Sequence, residues 1–142
     1  LYVPVSDLPA DQVSPTIECV DADTEVTPEV EATLTAVRDN VLLPGCSFSS
    51  CHGSGAAGGL QFDVENLHDE LLGHEVTGPT DMPLIESGDP EGSWLYRRLA
   101  YCAPRAHDEL TVSHMPVNSP ILIDDELVAL VREWIKAGAQ DN

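Results

Sequence analysis

Positive charge is scarce in this sequence. Its 142 residues carry 6 Lys and Arg against 25 Asp and Glu, and Lys136 is the sole lysine. A nucleic acid or an anionic membrane surface would be repelled by such a chain. The partners that remain are basic proteins, small molecules and cations, while the same acidity also serves plain solubility in a salty medium. Aromatic side chains are few as well: two Trp, three Tyr and two Phe, within an apolar fraction of 42%. That fraction is enough for one core, but bulky core-filling groups are lacking, and a buried apolar cofactor would supply them. No stretch approaches the roughly 18 apolar residues a membrane span needs. Period-two alternation of the kind that marks strands is missing too. An initiator Met and a signal-peptide pattern at Leu1 are both absent, which leads us to expect a mature chain, exported or tethered through a segment since removed. Neither a catalytic triad, a phosphate-binding glycine loop nor a paired-carboxylate site stands above background.

The length suits one domain, preceded by an acidic arm over residues 1 to 27. Residues 1 to 31 hold eight acidic side chains and no Lys or Arg, with Pro4, Pro9, Pro15 and Pro28 spaced among them. Such a composition reads as extended, while Val3, Val5, Leu8, Val13, Ile17 and Val20 offer anchors for packing along the domain over 28 to 142. Thr27, Pro28 and Glu29 read as a helix start, with Val30, Leu34, Val37 and Val41 at helical spacing and a stop near Pro44 and Gly45. Shorter helices are expected around Val64 to Leu72 and after Ser93. The last runs from an Asp124 cap through Leu127, Leu130, Val131, Trp134 and Ile135 to Gly138. The fold class is therefore all-α, with three to five short helices and long loops.

Chemistry concentrates at residues 46 to 52, Cys-Ser-Phe-Ser-Ser-Cys-His. Two cysteines followed directly by histidine form the haem c attachment pattern, here with four intervening residues where two are usual. The thiols add to the haem vinyl groups, and the adjoining histidine reaches iron. Other uses compete for the same residues. A zinc site wants a second ligand cluster, which Cys19 and Cys102 do not form. A local Cys46–Cys51 disulfide and a redox dithiol complete the alternatives.

Downstream, Cys51-His52-Gly53 and Gly58-Gly59-Leu60-Gln61-Phe62-Asp63 resemble the attachment loop of small bacterial class I-type c cytochromes, including those with the longer bridge. Gly88 to Tyr96, then Met115-Pro116, then Trp134-Ile135-Lys136-Ala137-Gly138-Ala139 extend the resemblance in order over about residues 28 to 140. It implies a class I cytochrome c-like fold wrapped around one covalent haem c. His52 would be the proximal metal ligand and Met115 the distal one, with Pro116 stiffening its loop. Met82 and His114 are the competing distal ligands, and His68, His74 and His107 read as surface or loop histidines. Leu60, Phe62, Tyr96 and Leu99 are expected against the haem, as are Trp94 and, no more than as helix packing, Trp134. Arg97, Arg98 and Arg105 are candidates for its propionates or for surface ion pairs.

Attachment of this type occurs outside the cytoplasm, where Cys19 and Cys102 would pair as a disulfide. The function implied is electron transfer by a monomer, without catalysis, between redox partners with basic docking faces. A haem enzyme or gas sensor with a displaceable sixth ligand, and a haem-free binding module stapled by disulfides, are the other classes.

Overall fold

The computed structural model describes residues 18–47, 51–76, 80, 82–105, 112–117 and 119–142. Apart from one isolated bridge residue at Arg105, regular structure among them is helical. The expected anchors from Val3 to Ile17 lie outside the described residues, as do bridge residues 48 to 50 and His107, and the described anchor Val20 is 77% exposed rather than packed on the domain.

The first helix begins later than the Thr27-Pro28 signal suggests. It starts at Leu34, and the α1 segment Leu34–Val37 is capped by Thr33, whose side chain accepts a hydrogen bond from the Ala36 N–H at 3.0 Å. The cap that forms is the one that lets Leu34 and Val37 enter the core, whereas Val30 stays 50% exposed. Nor does the helix stop before Pro44. A π-helical turn, Arg38–Leu42, leads into α2, Leu43–Cys46, in which Pro44 sits within the first two positions. Proline lacks an N–H and crowds the carbonyl four residues back, so a widened turn ahead of it relieves the conflict. The chain thereby continues in helical form to Cys46.

After the 53–59 loop come α3, Leu67–Gly73, and α4, Trp94–Ala100. Ser93 precedes α4 as expected but does not cap it through its side chain. Its hydroxyl instead accepts from the Glu86 N–H at 2.8 Å and donates to the Asp89 carbonyl at 2.8 Å, closing the preceding loop. The α5 helix, Asp125–Lys136, follows Asp124 and ends at Gly138, whose φ of +110° favours glycine. Val128, Leu130, Val131, Trp134 and Ile135 bury one side of α5 in a core shared with Leu34, Val37, Val41, Leu42, Tyr96 and Leu99. The α5 helix packs on both α1 and α4.

The described part of the acidic arm lies against this core. The Ala22 N–H donates to the Ala100 carbonyl at 2.8 Å, and the Cys102 N–H to the Asp21 carboxylate at 2.9 Å. Arg132 of α5 donates to the Val26 carbonyl. The expected Cys19–Cys102 disulfide is present, with an S–S distance of 1.99 Å. No helix among the described residues is long and apolar enough to cross a membrane.

Candidate functional site

Several stretches of the chain between Cys46 and Met115 meet at one cleft of about 720 Å³, its mouth included. Helix α2 delivers Cys46, the loop beyond it delivers His52, Ala57, Leu60 and Phe62, and α4 delivers Trp94, Leu95, Arg98 and Leu99. Met115, His74, Val76 and Leu84 complete the wall. The lining is mostly hydrocarbon with a few polar groups, the chemistry of a small-molecule or cofactor site.

Backbone hydrogen bonds fix the described part of the loop that follows Cys46. The His52 N–H donates to the Cys46 carbonyl at 3.0 Å, and the Ala57 N–H to the Cys51 carbonyl at 2.7 Å. The Phe62 N–H returns to the His52 carbonyl at 2.7 Å. Gly59, at φ +77°, takes a turn that a larger residue resists, and the His74 ring lies 3.8 Å from where a Cβ would stand. These bonds hold the imidazole in register with the cleft although the inter-cysteine bridge is long.

His52 is oriented through its ring as well. Its Nδ1 lies 2.9 Å from the Leu60 carbonyl, and a carbonyl only accepts, so Nδ1 carries the proton and the lone pair resides on Nε2. That arrangement is the outer-shell hydrogen bond that typically orients a metal-binding histidine and raises its basicity. Phe62 packs on the ring at a centroid distance of 4.8 Å. Cys46 donates its thiol to the Val41 carbonyl at 3.6 Å. Burial, with a smaller contribution from the nearby Cys51, pushes the Cys46 thiol up to about 11.

Met115 reaches the wall from a loop tied to α4, its N–H donating to the Arg98 carbonyl at 2.7 Å. Pro116 follows it through a cis peptide bond and is not part of the wall. Met82 lies elsewhere, buried against Trp94 with Val76 and Val112. His114 is not part of the wall, and its buried Nδ1 has no partner among the described residues.

Several sequence expectations are corrected here. Tyr96 is buried but turned away from the cleft. At about 100° per residue, positions 94, 95, 98 and 99 form one arc of α4, and position 96 falls beyond its edge toward α5 and Arg132. Trp134 likewise belongs to the helix core, its indole N–H donating to the Gln140 carbonyl at 2.9 Å. His74, expected as a surface or loop histidine, lies in the loop after α3 and also lines the cleft, a placement that no linear motif marks. Arg97 is occupied by the Glu91 and Arg105 carbonyls and Arg105 is exposed, so Arg98 is the arginine at the cleft. His68 instead lies 2.9 Å from the Ala139 carbonyl through Nε2.

Groups of three or more His, Cys, Asp or Glu suited to a metal ion do not occur among the described residues. The disulfide also removes Cys19 and Cys102 as thiolate ligands for zinc. Comparison of the chain with protein-family models, with curated proteins and with solved structures gives no match.

Proposed function

We propose that this chain is a monohaem c-type cytochrome of the class I kind, an electron carrier with His52 and Met115 as axial ligands. The observation that carries the reading is the His52 ring, locked by the Leu60 carbonyl with its Nε2 lone pair available, in an apolar cleft shared with Cys46 and Met115. The donors at the wall that would hold the group are one imidazole, one thioether and the Cys46 thiol; Cys51, half-buried in the following loop, is not part of that wall. The order of attachment loop, α4, Met115 loop and closing α5 supports a class I-like arrangement of the helices around it.

Cys46 and Cys51 would each add S–H across a vinyl double bond. A C–S bond forms at one vinyl carbon and the hydrogen goes to the other, with no oxidant consumed. Bound haem iron supplies one-electron exchange between its ferric and ferrous states. The chain's own residues perform the rest. His52 is held in one tautomer by Leu60. Met115 contributes a soft, neutral sulfur that favours the ferrous state relative to a second histidine. Leu60, Phe62, Leu95 and Leu99 exclude water and lower the local dielectric, which also disfavours the more highly charged ferric state. With His52 and Met115 both holding the iron, no position would be left for a substrate.

The net charge of −19 would steer the carrier toward basic partner faces, and the Cys19–Cys102 disulfide supports an oxidising, extracytoplasmic compartment. Mass spectrometry of the denatured chain, produced in a host with haem c attachment machinery, tests the reading. The expected result is the 15.3 kDa chain plus one haem, lost on Cys46→Ala/Cys51→Ala. Met115→Ala should keep the haem but lose the weak long-wavelength ferric band of thioether ligation and bind carbon monoxide readily when reduced. An unmodified mass overturns the cytochrome in favour of a disulfide-stapled module. Rapid carbon monoxide binding to the unaltered protein makes it a sensor or enzyme instead.

A further inference from the structure

The cleft holds one group that the ligand set leaves unexplained. Arg98 is the only Lys or Arg in its wall among the described residues, and no Asp or Glu stands beside it there. Its Nε is buried without a hydrogen-bond partner among those residues. Burial lowers its pKa from the ordinary value, although far too little to remove the charge at neutral pH. A buried guanidinium N–H left without an acceptor is costly. The Trp94 ring, with its centroid 5.7 Å from the guanidinium carbon, offsets only part of that cost.

Of the other described arginines, Arg105 is exposed to solvent and three have protein partners. Arg38 pairs with Asp39, Arg97 donates to the Glu91 carbonyl, and Arg132 meets both the Val26 carbonyl and Glu133. A chain with 25 carboxylates to offer leaves the cleft arginine without one among its described residues. The bound molecule is then the remaining source of a counter-charge.

We propose that Arg98 is the anion-binding residue of the cleft, its guanidinium fork taking a carboxylate of the bound group. This inference rests on the cytochrome reading, under which the carboxylate is a haem propionate. A planar fork matches a carboxylate with two parallel N–H···O bonds, which a lysine cannot reproduce. Because the Arg98 carbonyl also receives the Met115 N–H, one residue anchors the thioether loop through its backbone and the anion through its side chain. The pair places an ionised carboxylate, matched by its cation, beside the redox centre.

The test is a pH series of reduction potentials on the full haem-loaded chain, comparing wild type with Arg98→Gln and Arg98→Lys. Cys46 and His52 are consumed by attachment and ligation under this reading, so His74 is the remaining titrating group of the described wall. It is common to all three proteins and cancels in the differences. Pairing with Arg98 holds the propionate pKa below its ordinary range, about pH 4–5 for a carboxylate. Wild type should therefore show no propionate titration above that range. Arg98→Gln should have a lower potential at neutral pH, from loss of the cation, and should gain a new rise as the pH falls through the carboxylate range. Arg98→Lys should lie between the two. A loaded Arg98→Gln protein with the wild-type profile overturns the inference and leaves the cytochrome standing. Should Arg98→Gln not accumulate, haem-propionate NMR shifts of the wild-type protein decide: both propionates titrating at the ordinary carboxyl pH overturns the inference, and one of the two staying ionised below that range supports it. A wild-type chain without the haem mass increment overturns both readings together.

Discussion

Cys46 shows how a single environment sets reactivity. Its thiol is withdrawn from water and pushed up to about 11, so in the haem-free chain it stays protonated at neutral pH. The neutral form is favoured by the fold, and a pKa raised on folding gives stability that is present below the unfolded pKa and lost as pH climbs through the folded one. Against an ordinary thiol near 9.0, the rise to about 11 leaves roughly a hundredfold less thiolate. Mass-resolved alkylation of the folded haem-free chain at pH 7–8 should therefore label Cys46 about a hundred times more slowly than in urea, and the difference should shrink above pH 10. Equal rates would mean that the thiol is not buried as described. At this scale the sequence pointed to residues that the fold brings together: Cys46 and His52 share one cleft with Met115, more than sixty residues downstream, while Cys51 and Pro116 are not part of its wall. It guided less well where the role is directional: Tyr96 and Trp134 have the bulk for a cofactor pocket, but helical phase turns both elsewhere. His74 comes to the cleft through a loop contact that no local pattern encodes.

Among the elements, α4 and α5 were legible in their apolar spacing, although neither Ser93 nor Asp124 caps its helix through its side chain. The first helix was not, since the Thr27 signal stands six residues before the Thr33 cap that forms. Thr27-Pro28-Glu29 has the stronger local chemistry, but a helix begun there would carry the exposed Val30 and Glu31 into its first turn. Starting at Thr33 puts Leu34 and Val37 at once into contact with the core, so tertiary packing overrides local preference. Thr33→Ala should cost about 1 kcal/mol through the lost cap, measured by urea unfolding, and Thr27→Ala should cost less than about 0.5 kcal/mol as an ordinary surface change. A reversal of that order would restore the earlier start. The passage of the helix through Pro44 was likewise hidden, because a widened π turn leaves no mark in the apolar spacing. Its effect is to carry the backbone a further turn, so that Cys46 leaves the helix facing the cleft that His52 also borders.

For the molecule as a whole, the arm and its disulfide act as a strap over the α4–α5 side of the core. Cys19 and Cys102 are 83 residues apart, and closing a loop of that size removes denatured-chain entropy worth about 4.5 kcal/mol in the chain-entropy limit, with about 2–4 kcal/mol typical in practice. Cys19→Ser/Cys102→Ser should lower the unfolding free energy by that amount in denaturant melts of the loaded protein. A loss below about 1 kcal/mol would show that the strap's hydrogen bonds hold it unaided.

The strap also poses a problem of sorting. Four cysteines allow three ways of forming two pairs, and under the proposed function only one half of one of them is wanted: Cys19 joined to Cys102, with Cys46 and Cys51 kept as thiols until attachment. In the unfolded chain, short loops close more readily than long ones, so early oxidation favours the local Cys46–Cys51 pair that would block the vinyl additions. The fold reverses that preference by bringing residues 21 and 22 onto 102 and 100. Maturation then depends on timing, with a reductant directed at the attachment loop while the strap is oxidised.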